Sequence, residues 1–337
     1  MPSNLIPSIE SFAKGAFATA TGLSTIGVGL LYYGQNFLIY PSAYPPGSRT
    51  EVPVPSDFGL PYEDLRLTTP DDVKIHCYLM VQKRGLSPQA TPVPGEMDTA
   101  DDDEFAATRP TIMMFHGNGG NLGHRVPLAK VFYIKMRCNV MMVSYRGYGH
   151  SEGSPSEKGL QQDAQTALDY LTSHPVLSKT PIILYGQSIG GAVSIDLASR
   201  NIETVKALIL ENTFLSLPKL IPQALPILSP FSFLCHQKWE SYAKLPKIPP
   251  STPILMLSGA EDEVVPKDHM EELWKIAEKR GQHESEERKT GDVREERERG
   301  TGKSRFMLFE RGKHNDTCVQ PGYWTAVSEF VASLGEP

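Results

Sequence analysis

Three residues far apart in the chain, Ser188, Asp262 and His314, are of the types that together make a serine hydroxyl reactive. A hydroxyl is a poor nucleophile until a base takes its proton. An imidazole, which titrates near neutral pH, can take that proton and return it to a leaving group. A carboxylate on its far side fixes the tautomer and stabilises the imidazolium. Ser188 lies in Gly186-Gln187-Ser188-Ile189-Gly190, a G-x-S-x-G sequence. A short apolar run, 181–185, reads as a buried strand before it, and 191–200 reads as a helix after it. In that context the motif lifts a serine clear of a sheet. The glycines allow the sharp turn. The turn aims the Ile189 N–H and the start of the helix at the place where an oxyanion would form.

Asp262 and His314 are chosen by position. Residues 253–257 (PILML) form a buried strand that runs into Ser258-Gly259-Ala260-Glu261-Asp262-Glu263-Val264-Val265-Pro266. Of the three successive acids, Asp262 is the one left at the strand end, with Glu261 and Glu263 turned elsewhere. Glu211, at the end of the preceding strand (205–210), is its rival. His314 follows the last strand, 305–310, and completes the chain order Ser, Asp, His. His124, His150, His236 and His269 have no such position. A second oxyanion donor is expected in the glycine-rich turn His116-Gly117-Asn118-Gly119-Gly120-Asn121, after the strand at 111–115. The Asn118 N–H is assigned this part, with Gly119 as the alternative, and His116 is read as a brace for the loop. No lysine follows at the spacing of a phosphate-binding loop.

These residues need a scaffold that brings distant strand ends together. Strand-like runs at 111–115, 139–144, 181–185, 205–210, 253–257 and 305–310 alternate with helix-forming segments. That is the pattern of an α/β fold with a doubly wound, mostly parallel sheet, whose sites lie at the carboxyl ends of the strands. Runs at 63–68 and 73–81 add an antiparallel hairpin in front. Ser156 caps a helix reaching to 173, and Val327, Phe330, Val331 and Leu334 mark a closing amphipathic helix. Arg146, in the turn Tyr145-Arg146-Gly147-Tyr148-Gly149, is read as a structural ion pair or a hydrogen bond to a turn carbonyl.

Four segments stand apart. Residues 15–33 carry no charge and are long enough to span a bilayer, with Tyr32, Tyr33, Phe37 and Tyr40 where an interfacial aromatic belt would lie. The segment 1–40 is therefore expected to be a single-pass anchor, in the plasma membrane or endoplasmic reticulum, of undetermined orientation. A cleaved signal peptide and a helix packed on the domain are the competing readings. Residues 41–61, rich in proline, read as an extended linker to a catalytic domain at 62–337. Residues 214–250 break the strand–helix alternation and read as a helical cap, in which Leu225, Ile227, Leu228, Phe231, Phe233, Leu234 and Trp239 line an apolar acyl or alcohol pocket or pack the cap onto the core. Residues 85–109 and 281–304 are hydrophilic surface insertions.

Composition narrows the choice. Of 337 residues 40% are hydrophobic, which suits a domain with a substantial core, and the net charge of −6 gives no footprint for nucleic acid. Cys77, Cys138, Cys235 and Cys318 show no metal-ligand or redox spacing and read as free thiols or core fillers. The Ser188, Asp262 and His314 chemistry needs neither a metal nor an organic cofactor, so none is expected. Asn315-Asp316-Thr317 matches a glycosylation sequon, but a glycan there would block His314, so none is expected.

The runs HGNGGN, SYRGYGHSEGSPSEKGL, YGQSIGGA, LENTF, SGAEDEVVP and KHNDT resemble the bud-emergence (bem) type of α/β-hydrolase-domain proteins, from about Tyr62 to the C-terminus. By that resemblance the fold is an α/β-hydrolase, Ser188 the nucleophile, Asp262 the acid and His314 the base. Animal relatives of this type carry an N-terminal anchor and include protein depalmitoylases. The resemblance thus implies a serine hydrolase acting on an ester or thioester of a lipid or lipidated protein near a membrane. The two hydrophilic insertions are longer than the family's pattern. A serine peptidase of the same fold, and a membrane-tethered interaction protein using the fold as a scaffold, are the alternatives.

Overall fold

Strands β3 (Thr111–Phe115), β4 (Asn139–Ser144), β5 (Ile182–Gln187) and β7 (Ile254–Gly259) are buried along their whole length in the computed structural model, which describes residues 9–85, 99–281 and 303–335. Continuous apolar runs of this kind belong to a sheet covered on both faces. With β1 (Glu63–Thr68), β2 (Lys74–Met80), β6 (Val205–Glu211) and β8 (Arg305–Phe309) they form one eight-stranded sheet in the order β1-β2-β4-β3-β5-β6-β7-β8. The strands from β3 to β8 pair in parallel, and β2 runs antiparallel to β1 and to β4. β1 alone alternates exposed and half-buried residues, as an edge strand should.

Successive strand residues point to opposite faces, so the strands feed two separate cores. Met113, Phe115, Leu184, Leu208 and Met256 pack with α4 (Glu157–Ser173), α5 (Ile189–Arg200) and α8 (Asp268–Glu278). Ile112, Met114, Ile183, Ile209 and Leu255 pack with α3 (Val126–Lys130) and α9 (Tyr323–Ser333). Ser156 caps α4 by accepting from the Gly159 N–H at 3.1 Å. The four cysteines are buried and unpaired.

Arg146 ties three elements together. Its N–H and Nε donate to Asp163 in α4 at 2.7 and 2.9 Å, and its two terminal nitrogens donate to Asp71 in the β1–β2 turn at 2.6 and 3.0 Å. The hydrogen bonds from Arg146 hold the Asp71 carboxyl below the usual range.

Several segments differ from their sequence reading. Within 85–109, residues 99–107 form α2 (Thr99–Ala107); 86–98 lie outside the described residues. The acidic run has a helical use, since Asp101 and Asp102 sit in the first turn, where negative charge suits the helix end. Asp101 pairs with Arg84 at 2.9 Å, and Asp102 accepts from the Arg84 N–H at 2.8 Å. Of the insertion at 281–304, residues 282–302 lie outside the described residues. The stretch 41–61 lies against the domain. Asn121 Nδ2 donates to the Ser48 and Glu51 carbonyls at 3.0 and 2.9 Å, and Ser48 and Leu60 are buried. Residues 122–135 are helical in three forms, a 3₁₀ turn (Leu122–Arg125), α3 and a π turn (Val131–Lys135).

The region 214–250 carries α6 (Leu217–Ala224), a 3₁₀ segment (Pro226–Leu234) and α7 (Ser241–Lys244). Its apolar side chains divide. Leu225, Ile227, Phe231 and Phe233 are exposed, whereas Trp239 is buried and its Nε1 donates to the Tyr40 hydroxyl at 2.9 Å. Trp239 therefore packs the cap onto the body. Helix α1 (Ile9–Ile39) precedes Tyr40 and is long and apolar enough to cross a membrane, with none of its apolar window buried in the protein.

Replacing Arg146 by Met leaves the Asp163 carboxylate buried without its cation. The expected loss is about 3–5 kcal/mol of stability, the usual effect of breaking a buried ion pair. Thermal and urea unfolding would read it, and a loss under ~1 kcal/mol would contradict the structural part given to this residue.

Candidate active site

The register of the sheet sets the site. Phe115 pairs with Gly186, Gln187 with Glu211, Glu211 with Leu257, and Gly259 with Phe309. The carboxyl ends of β3, β5, β6, β7 and β8 are therefore level. His116, Ser188, Asn212, the 260–262 turn and His314 all follow these ends within a few residues.

Ser188 sits between β5 and α5 with φ 54° and ψ −119°. That conformation costs a non-glycine residue about 1–3 kcal/mol and persists only where neighbours enforce it. The Ser188 N–H donates to the Glu211 carbonyl at 2.9 Å, and Thr213 Oγ1 donates to the Ser188 carbonyl at 2.7 Å. The two glycines answer to space. A Cβ on Gly186 would lie 2.3 Å from the Gly190 carbonyl oxygen, and one on Gly190 would lie 2.1 Å from the Phe115 carbonyl oxygen. α5 can cross the end of β3 this closely only without those side chains.

Ser188, His314 and Asp262 form one hydrogen-bonded chain. His314 Nε2 is 3.1 Å from Ser188 Oγ, and Nδ1 is 2.8 and 3.0 Å from the two Asp262 oxygens. With Nδ1–H donating to Asp262, the Nε2 lone pair faces the serine hydroxyl. Asp262 Oδ1 also accepts from the Val264 and Val265 N–H groups at 2.8 and 2.7 Å, which holds the carboxylate in place. Ser188, His314 and Asp262 are 6%, 7% and 9% exposed, so their hydrogen bonds are largely shielded from competing water. The neighbouring acids do face elsewhere: Glu261 and Glu263 are exposed, and Glu263 accepts from the His314 N–H at 3.2 Å.

Glu211, the rival acid, is turned away from His314. Its Oε2 accepts from the Tyr185 and Tyr323 hydroxyls, both at 2.6 Å, and Oε1 accepts from Gln187 Nε2 at 3.3 Å. Burial pushes its pKa up. His116 is a brace: Nδ1 donates to the Gly117 carbonyl at 2.8 Å, its own carbonyl accepts from the Tyr145 hydroxyl at 3.0 Å, and burial pushes its pKa down to about 3. His269 accepts from the Leu215 N–H at 3.2 Å, and His236 contacts α1.

The loop after β3 lies beside Gln187, since a Cβ on Gly117 would be 3.7 Å from the Gln187 carbonyl oxygen. Asn118 is held through its side chain. Oδ1 accepts from the Tyr148 hydroxyl at 2.6 Å, and Nδ2 donates to the Ile39 carbonyl at the end of α1. The Asn118 N–H has no acceptor among the described residues. Ile189 opens α5, so its N–H has no carbonyl of a preceding helical turn to bind.

Asn212 was not singled out from sequence. At φ 45° it sends Nδ2 to the His314 carbonyl at 3.2 Å and to Thr317 Oγ1 at 3.0 Å, while its Oδ1 accepts from the Gly259 N–H at 2.8 Å. It ties the ends of β6 and β7 to the loop that carries His314. Its place at a strand end was the one available signal. Among the described residues no group of three His, Cys, Asp or Glu side chains is arranged to hold a metal ion.

Comparison with known proteins places this geometry in a family. A family model described as serine aminopeptidase, S33, matches residues 106–249. Protein bem46 of Schizosaccharomyces pombe is 40% identical over 98% of this chain and 97% of its own length. The chain belongs to the bem46-type α/β-hydrolases. A second relative of this hydrolase, the α/β-hydrolase domain-containing protein WAV2 of Arabidopsis thaliana, is 31% identical over 95% of each chain. Among solved structures, an α/β-hydrolase from Vibrio vulnificus (TM-score 0.62, 19% identity, 88% of this chain and 93% of that one) shares the fold. So does the Pyrococcus furiosus esterase Pf2001 (TM-score 0.59, 17% identity, 84% and 97%). In this bem46-type hydrolase the family model ends before Asp262 and His314, so the geometry above is what joins those residues to Ser188.

Two outcomes are expected. Gly190→Ala should yield little folded protein, because the new methyl would meet backbone; recovery of wild-type amounts with an unchanged unfolding midpoint would refute the close crossing. The second concerns acid. His116 titrates near 6.5 when unfolded and near 3 when folded, so the unfolded chain binds the extra proton between those values. The stability it contributes is complete above about pH 6.5 and is lost as pH falls toward about 3. The unfolding midpoint of His116→Gln should therefore fall less between pH 7 and pH 4 than that of the wild type; equal falls would count against it.

Proposed function

We propose that this protein is a serine hydrolase that cleaves an ester or thioester, of a lipid or a lipidated protein, at a membrane surface. The observation that carries the reading is the chain of contacts from Ser188 Oγ through His314 to Asp262. In the proposed reaction Ser188 Oγ attacks the acyl carbonyl while its proton passes to His314 Nε2. The Asn118 and Ile189 N–H groups bind the oxyanion, each such donor being worth roughly 3–4 kcal/mol in the transition state. The tetrahedral adduct collapses, the bond to the leaving alcohol or thiol breaks, and the leaving group takes the proton from His314. Water, deprotonated by the same imidazole, then releases the carboxylic acid and regenerates Ser188. Asp262 keeps Nδ1 protonated throughout.

The membrane part of the reading rests on α1 and on a 35% identical relative called a membrane protein in Saccharomyces cerevisiae. The helix would serve as a single-pass anchor, with Tyr32, Tyr33 and Phe37 at the interface. Amide cleavage is the second reading, favoured by the family model's description as an aminopeptidase.

Ser188→Ala should abolish labelling by a fluorophosphonate and turnover of acyl esters and thioesters, while the unfolding midpoint stays near that of the wild type. Unchanged turnover would remove Ser188 from the reaction. Asp262→Asn should lower turnover by roughly 10³–10⁴-fold through the wrong imidazole tautomer. Faster release from aminoacyl arylamides than from thioesters would favour the peptidase. A truncated chain beginning at Tyr40 should leave the membrane pellet for the soluble fraction; a full-length chain already soluble would end the anchor reading.

A further inference from the structure

The catalytic machinery uses only the far end of α1, but the helix carries an unfilled surface of its own. Gly27, Val28, Leu31, Gly34 and Leu38 recur at spacings of one, three and four residues and, with Phe231 of the cap across from them, line an open apolar groove of about 660 Å³. That volume is within the range of small-molecule clefts, roughly 300–1,000 Å³, although this groove stays open along one side. The two glycines make the room. A Cβ on Gly27 or on Gly34 would meet nothing within 4 Å, so no packing demand accounts for the missing side chains.

The groove has a fixed wall and a direction. Gln35 donates from Nε2 to the Leu234 carbonyl at 3.3 Å and accepts at Oε1 from the His236 N–H at 2.9 Å, which pins the cap segment to the helix. Toward the domain, Leu38 is followed by Ile39, whose carbonyl accepts from Asn118 Nδ2. The inner end of the groove is thus one residue from the loop proposed to hold the oxyanion. Toward the N-terminus Phe17, Leu23 and Ile26 are exposed, as is Leu30 on the groove itself. Ile227 and Phe233, on the same cap segment as Phe231, are 85% and 78% exposed. Apolar surface this extensive requires an apolar surrounding.

We propose that this groove binds the fatty acyl chain of a membrane-resident ester or thioester, which enters sideways from the bilayer between α1 and the cap. The proposal rests on the serine-hydrolase reading above and adds to it where the chain lies. An acyl chain fits better than a protein segment because the walls, Ser24 apart, are apolar and open along a helix that is itself dressed for lipid. The carbonyl then reaches Ser188 while the tail stays in hydrocarbon, so extraction of the chain into water is avoided.

The test uses the full-length protein in phosphatidylcholine nanodiscs and a hexadecyl fluorophosphonate with a diazirine near the tail end. Mass spectrometry locates first the phosphonyl adduct and then, after irradiation, the tail. An adduct on Ser188 with the tail cross-linked to residues 24–38 or to Phe231 supports the groove. An adduct on Ser188 with the tail elsewhere, including on α1 of a second copy, overturns the groove and leaves the hydrolase reading standing. No adduct on Ser188 overturns both. As a second measurement, Gly34→Trp fills the groove, and the preference for hexadecanoyl over butanoyl thioester should fall at least about tenfold, as lost burial of only two methylenes would require. An unchanged preference overturns the proposal.

Discussion

Where α5 leaves the end of β3, backbone lies against backbone, and the rest of the site depends on that crossing. Gly190 passes the Phe115 carbonyl at a distance no side chain would permit, and Ser188 is held at a positive φ as a result. The strain is carried by ordinary hydrogen bonds on either side, from the Ser188 N–H to Glu211 and from Thr213 to the Ser188 carbonyl. Both partners belong to β6 or the turn after it. The serine is therefore fixed by its parallel neighbour in the sheet as much as by its own turn. Because β7 and β8 are in register with β6, the same arrangement delivers Asp262 and His314 to the serine.

Buried polar groups around this crossing are committed in an orderly way. Glu211 belongs to two tyrosines on one side of the sheet, His116 to its own loop, Asn212 to the strand ends and the His314 loop. Each of these could be mistaken for a reactive group from its type alone. Their hydrogen bonds show them to be supports, and they leave Asp262 as the carboxylate that meets His314.

Much of this was legible in the sequence, for identifiable reasons. The strands were readable because a doubly covered parallel sheet writes unbroken apolar runs such as IILYGQ and ILMLSG. The order of serine, acid and histidine was readable because each follows such a run directly. Asn212 was not, since its side-chain partners come from β7 and from the His314 loop, and only the register unites them. The packing of 41–61 was hidden because proline-rich sequence looks the same free or bound, and contact with Asn121 decides the matter. For Trp239 the sequence left pocket lining and cap packing both open; its single N–H, satisfied by Tyr40, decides for packing.

Asn118 belongs to two structures at once. It sits in the glycine-rich loop after β3, while its amide side chain grips the last carbonyl of α1. A fragment that begins at Tyr40 keeps Ser188, Asp262 and His314 but removes the acceptor that Asn118 Nδ2 uses. Constants measured on such a fragment describe a site with one restraint fewer than the full-length chain has, so the choice of recombinant boundary is itself a variable in the chemistry.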